Sequence, residues 1–311
     1  MKRSIFTCFC FVFLLASCTQ NKKNNEPTPT NKEEPKPAEL TFKVGNVSFN
    51  MRLIEAVKKT TLSKGSQNER VVSLSPYYIA ETEVTQELFN AVMGYNPSAF
   101  DNSDEAKAPA QGEVQEKRPV ETLSWYDAVA FCNKLTETIN GNANECVYTL
   151  TDIEKDDKGI FGAKVAVDVK KKGFRLPTEA EFEYAAKGGV EDIIYAGANH
   201  DDEKVALKEV AWFNENSNKR THQVGIKKAN GYGLFDMSGN VFEWCQDNYS
   251  NPMVTNVEQD PQGTRKDTGR HAAKGGGYGN GGFSQCYVSA RSPTNSEATL
   301  DDIGFRIVIR K

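Results

Sequence analysis

Two stretches of the chain carry residue types that could do chemistry. The first runs from Asp236 to Glu243, two carboxylates with Ser238, Gly239 and Asn240 between them in a turn-prone segment. Hard cations such as calcium take several oxygen ligands from carboxylates and main-chain carbonyls on flexible loops of this kind. The plainer reading has both acids accepting hydrogen bonds from loop amides. The second stretch is the glycine-rich run from Gly275 to Gly282, followed by Cys286 and Arg291. Elsewhere the inventory is restrictive. The 3 histidines, His200, His222 and His271, leave little room for a histidine-based metal or proton-transfer site. There is no Cys-x-x-Cys pair for zinc, no Ser-His-Asp spacing and no phosphate-cradling loop.

The elements that must position these stretches can be read from local signals. Leu40 to Phe49 and Val71 to Ile79 alternate apolar and polar residues and predict early strands. Thr85 caps a helix with Leu88, Phe89, Val92 and Met93 on one face, stopped by Gly94. Ser124 and Asp127 form a variant capping box for a second helix, lined by Ala128, Phe131, Cys132 and Leu135. Pro177, Thr178 and Glu181 start a third, which ends at Gly188 and Gly189. Beyond Gly189 helix signals vanish, and the remainder predicts short strands joined by long ordered loops. Trp125, Trp212 and Trp244 read as core anchors.

The front of the chain reads as an address. Met1, Lys2 and Arg3 precede an apolar run from Ile5 to Leu15, too short to span a bilayer and suited to a signal-peptide core over 1–17. The run ends in Leu15-Ala16-Ser17-Cys18, which resembles the lipobox of bacterial lipoproteins, where the cysteine receives diacylglycerol after cleavage. Cys18 is therefore the expected lipid attachment point and the membrane the expected partner. Residues 18–38, rich in proline and charge, predict a solvated tether ahead of one globular domain over 39–311. The expected location is the bacterial cell envelope. In such an oxidising compartment Cys132, Cys146, Cys245 and Cys286 permit two disulfides, Cys132–Cys146 and Cys245–Cys286 being one arrangement; buried free thiols are the other reading.

Composition narrows the function further. With 38 basic and 42 acidic side chains in 311 residues, the chain has no excess charge to neutralise a phosphate backbone, so nucleic acid is excluded as a partner. Hydrophobic content of 38% supports a packed core. Length alone suggests about two domains, yet from Glu39 onward the composition is even and no second linker interrupts it.

Seven ordered blocks then carry a resemblance. They are Tyr78–Gln86 (YIAETEVTQ), Met93–Ser98 (MGYNPS), Pro119–Trp125 (PVETLSW), Phe174–Ala186 (FRLPTEAEFEYAA), Gly233–Trp244 (GLFDMSGNVFEW), Lys274–Gly276 and Ile303–Arg306. In this order they resemble the formylglycine-generating enzyme (sulfatase-modifying factor) family, over roughly Tyr77 to Val308. The resemblance implies a single α+β, C-type-lectin-related domain, loop-rich with short strands and a few helices. It implies calcium held by Asp236, Glu243 and the carbonyls of Gly239 and Val241. The family's other calcium loop is shortened here between Asn216 and Val224, so no ligands carry over to it.

The family's activity depends on two cysteines after the glycine pair, which hold copper(I) while a sulfatase cysteine is oxidised to formylglycine. Here the first of those positions is Asn280, and only Cys286 lies near the second. One thiolate cannot make a two-sulfur site and an amide is a poor ligand for a soft ion, so copper is not expected. The iron-dependent, histidine-using sulfoxide synthases of this fold are discounted for want of histidines. A binding or scaffold module remains, with a protein, small-molecule or glycan ligand. It resembles either the gliding and secretion lipoproteins or the variable proteins of diversity-generating retroelements, whose changeable residues match Tyr278 to Asp302. Tyr278, Asn280, Tyr287, Ser289, Arg291 and Asn295 form the expected binding face. The copper-dependent oxidase is the alternative.

Overall fold

The structure, a computed structural model, describes residues 39–198, 202–250, 258–264, 266–279 and 283–311. Cys18 with its signal peptide, the tether, His200 and Asn280 lie outside the described residues.

Strands β1 (Glu39–Val44) and β2 (Val47–Ile54) turn over Gly45 and Asn46, and form an antiparallel pair with Phe42 opposite Phe49. Strand β3 (Val57–Leu62) pairs with β4 (Arg70–Leu74), and β5 (Tyr77–Ala80) follows after Ser75 and Pro76. Each of the two strand segments expected from alternation is thus two strands, broken where glycine or proline interrupts the ladder. The first sheet has the order β1-β2-β5-β13, all antiparallel, so that the chain's last strand, β13 (Val308–Arg310), pairs with β5.

The three expected helices form where their caps place them. Helix α1 covers Gln86–Met93, its Thr85 hydroxyl accepting from the Leu88 amide. Gly94 closes it at φ +83°, a conformation that costs glycine little. Helix α2 (Trp125–Asn140) carries the full Ser124/Asp127 capping box, and α3 (Glu179–Lys187) the Thr178/Glu181 one. A hairpin of β6 (Tyr148–Lys155) and β7 (Ile160–Val167) follows α2. A fourth helix, α4 (Glu203–Val210), capped by Asp202, stands where no helix was expected. It buries Ala206, Leu207 and Val210 against Tyr195 and Phe213.

The second sheet runs β11-β10-β8-β12, from β8 (Phe242–Asn248), β10 (Arg270–Lys274), β11 (Ser292–Asn295) and β12 (Ile303–Gly304); β9 (Glu258–Gln259) pairs parallel with β4. The larger apolar cluster lies between α1, α2 and these sheets, with Phe89 stacked on Phe131 at 5.3 Å and Phe305 edge-on to both. Two tryptophans tie α2 to β8 reciprocally: Trp125 donates to the Cys245 carbonyl at 2.9 Å, and Trp244 to the Leu123 carbonyl at 3.2 Å. Both are buried, and their indole N–H groups are satisfied. The result is a mixed α+β architecture whose C-terminal part is held by short strands and side-chain ties.

Candidate functional site

Helix α3 organises the region. Its acids Glu179, Glu181 and Glu183 are all buried, and each meets a different cation. Glu179 takes Arg291 at 2.6 and 2.7 Å, and Glu181 takes Arg175 at 2.6 and 2.7 Å. Glu183 accepts from the Ser63 amide and hydroxyl, with Arg70 at 3.4 Å and Lys274 at 3.6 Å. A buried carboxylate is tolerated only with such partners. Asp247 accepts the Glu179 amide at 2.9 Å; burial, then the Glu179 charge, push its carboxyl up to about 8.

The Asp236–Glu243 loop is tied in the same way. Glu243, at 0% exposure, is held bidentately by Arg306 at 2.6 and 2.7 Å, and Arg306 also donates to the carbonyls of Ala80 and Phe235. Asp236 sits at φ +56° and accepts the Gly225 amide at 2.7 Å; its other oxygen has no partner. Burial lifts Asp236 to about 6, and burial with the neighbouring Asp236 and Glu243 charges lifts Glu83 far above the carboxylate range. The Gly239 amide donates to the Gly275 carbonyl and braces the turn. Of the two carboxylates expected to hold calcium, Glu243 has no free oxygen as arranged, while Asp236 keeps one unpartnered. Both Glu243 oxygens face a guanidinium, whose positive charge occupies the place a cation would need. Among the described residues no group of three or more histidine, cysteine or carboxylate side chains is arranged to hold a metal ion.

The glycine run explains the cysteine. Gly276 has φ +78°, and a Cβ there would lie 2.8 Å from Cys286 Sγ. Cys286 is packed beneath the run as a small apolar residue, and burial pushes its thiol up to about 12. Neither expected disulfide is formed: Cys132, Cys146, Cys245 and Cys286 are all free. Cys132, Cys245 and Cys286 are each buried in a different apolar cluster, which separates the last two.

The expected binding face divides. Tyr278 is buried, its ring edge-on to Phe100 at 5.1 Å, and its hydroxyl bonds Asp301. Arg291 is committed to Glu179. Both belong to the interior, because a polar group at this depth must find an internal partner. Asn295 is exposed on β11, beside the Arg270 guanidinium at 3.2 Å. Tyr287 and Ser289, both half-buried, line a cavity of about 360 Å³ whose floor is Glu183 and Ser63. Lys187 reaches the Thr61 carbonyl at 3.0 Å in its wall, and an exposed Lys64–Asp192 pair at 2.8 Å stands at its rim.

A smaller lobe of about 170 Å³ shares Asp192, Ile193 and Ile194 with this cavity. Between the lobes Tyr287 and Tyr195 lie edge to face at 5.4 Å, both hydroxyls donating to Glu203 on α4, at 3.3 and 3.4 Å. The groove so formed has the size and the apolar-plus-polar lining of a ligand site. Sequence reasoning found Tyr287 and Ser289 but missed Tyr195, Asp192 and Glu203. The Asp202 cap and the apolar spacing of Ala206, Leu207 and Val210 were the signals that could have found the last.

Fold and site define a lectin-like domain held by buried acid–guanidinium pairs, with an open groove beside a glycine run. The chain belongs to the sulfatase-modifying factor enzyme 1-like domain family, which it matches over residues 24–311. It is 35% identical to the chaperone protein LppX of Paenibacillus barcinonensis over 256 residues, 75% of this chain and 79% of that protein. The solved Treponema denticola variable protein 1 superposes with a TM-score of 0.75 at 38% identity, covering 89% of this chain and 100% of that one. The mouse formylglycine-generating enzyme is 30% identical over 145 residues, 43% of this chain but 38% of the enzyme.

Proposed function

We propose that this protein is an envelope lipoprotein whose sulfatase-modifying-factor-like domain binds a partner through the Tyr195–Tyr287 groove and performs no thiol oxidation. The observation that carries the reading is Cys286. It is the single thiol near the glycine run among the described residues, it is buried, and its proton is held to about 12. A copper(I) site of this kind needs two soft sulfur donors, and the run has one beside it. The likeness to a protein named a chaperone and to one named a variable protein supports a binding role. The lipobox at Cys18 supports the anchor and the envelope location. Two tyrosines with a shared carboxylate suit a protein segment or a glycan, both of which stack on aromatic rings and hydrogen-bond at the rim.

The test pairs two measurements. Full-length protein is incubated with copper(I) and a sulfatase-derived cysteine peptide, and aldehyde is sought by mass spectrometry; none is expected, and its formation overturns the reading. Capture from native envelope is then compared between the wild-type protein and Ser289→Arg, which fills the cavity. The reading requires a captured component that the variant loses, and fails if both proteins retain the same set.

A further inference from the structure

We infer that the smaller lobe of the groove receives a lysine side chain of a protein partner, which rests on the groove reading above and narrows its ligand. The lobe, about 170 Å³, has apolar walls from Ile193, Ala198, Ala206 and Tyr195, and among the described residues the charged side chains in its lining are two carboxylates, Asp192 and Glu203. Asp192 is already matched by Lys64 at 2.8 Å. Glu203 is exposed and makes no ion pair among the described residues. Both tyrosine hydroxyls donate to the same oxygen, Oε2, so Oε1 is left without a donor from the described residues. The neighbouring cations of α4 are turned elsewhere: Lys204 and Lys208 reach Glu215 at 3.0 and 3.6 Å. Burial, and then the Glu203 charge, raise the Tyr195 hydroxyl, so that charge acts on the wall of the lobe.

An apolar cleft with one unmatched carboxylate at its solvent edge is complementary to an aliphatic stem that ends in a cation. Long basic side chains bury their methylenes in this way and keep the charge at the edge. The single remaining Glu203 oxygen suits the point charge of an ammonium, whereas a guanidinium fork engages both oxygens of a carboxylate. The tyrosine pair adds electron-rich rings beside the cation. Val190 and Ile194, 53% and 46% exposed, also line the lobe and carry its apolar surface outward. A protein partner that covers them removes that surface from water, which a small free amine cannot do. A neutral glycan supplies neither the stem nor the charge.

The test titrates the full-length protein, in non-ionic detergent, with N-acetyl-lysine amide, N-acetyl-norleucine amide and N-acetyl-glutamate amide, read by saturation-transfer NMR. The lysine compound is expected to bind roughly tenfold more tightly than norleucine, with glutamate the weakest. Glu203→Gln, at an exposed position, should lose that preference, and Glu203→Lys should transfer it to the glutamate compound. In the envelope capture, Glu203→Lys is expected to lose the protein that Ser289→Arg loses. A lysine preference abolished in Glu203→Gln sustains the inference. Equal binding of lysine and norleucine, or a preference that survives Glu203→Gln, overturns it. So does a captured component that is lost in Ser289→Arg but kept in Glu203→Lys, an outcome that leaves the groove reading standing. Identical capture by wild type and Ser289→Arg strikes the groove reading instead, and the titrations still decide the lobe.

Discussion

Replacing Arg306 with alanine tests the central tie of this fold. The guanidinium makes two contacts to Glu243, at 2.6 and 2.7 Å, and donates to the Ala80 and Phe235 carbonyls at 3.2 and 3.0 Å. Both partners of the ion pair are at 0% exposure. Removing one member of a buried pair costs about 3–5 kcal/mol, because the other is left charged in the interior. Here the neighbouring Asp236 charge also acts on Glu243 and sharpens that penalty. Two orphaned carbonyls add about 1 kcal/mol each. The expected loss is therefore about 5–7 kcal/mol, much of the stability of an ordinary domain. In urea, with a slope of about 3 kcal/mol per molar, the midpoint falls by about 2 M. The double variant Arg306→Met with Glu243→Met leaves no unpaired charge and is expected to recover at least half of the loss. A single-variant cost below about 1 kcal/mol, or a double variant as unstable as the single one, would refute the account.

Four other outcomes follow from the same geometry. Asp236, Glu121 and Asp247 have carboxyls raised to about 6, 7 and 8 by burial, so the folded state holds protons that the unfolded one has released. Their contribution is complete below about pH 4 and is lost as pH rises through 6–8, so melting temperature measured by calorimetry should fall across that window. His271 acts oppositely, kept neutral down to about 3 by burial, and withdraws stability as pH falls below about 6.5; one proton against three, it moderates the decline without reversing it. Alkylation under native, non-reducing conditions should modify Cys146, which is half-buried, and spare Cys132, Cys245 and Cys286; mass spectrometry after unfolding should find all four labelled. Gly276→Ala, whose Cβ would sit 2.8 Å from Cys286 Sγ in a left-handed conformation, should cost about 2–4 kcal/mol in chemical denaturation. Chelator should leave the melting temperature unchanged, since Arg306 already neutralises Glu243.

Local signals were legible and long-range ones were not. The caps at Thr85, Ser124 and Thr178 act within three residues, so the helices they start could be placed from sequence. Helix α4 was overlooked because its eight residues make barely two turns, too short a window for a 3.6-residue period to stand out. The β6–β7 hairpin escaped for a related reason: its faces are largely exposed, so burial imposes no apolar alternation. The acids of α3 looked like complements to a helix dipole. For Glu183 and Glu179 the partners Arg70 and Arg291 stand 113 and 112 residues away, and nothing in spacing encodes such a pairing. The same limit applies to the candidate face. Tyr278 and Arg291 have the composition of a surface loop, and only the depth of Phe100 and Glu179 shows them to be internal.

The remote pairing of α3 also governs the order in which the molecule can be completed. A growing chain contains Glu179 and Glu243 well before Arg291 and Arg306 have been added, and an acid without its cation is better left in water than enclosed. Strand β5 likewise waits for β13, formed by nearly the last residues of the chain. Closure is thus deferred to a late, concerted step whose loop entropy is large. A chain stopped at Phe305 would lack both the Arg306 clamp and the β13 edge, and should remain an open, protease-sensitive polymer rather than a slightly shortened domain.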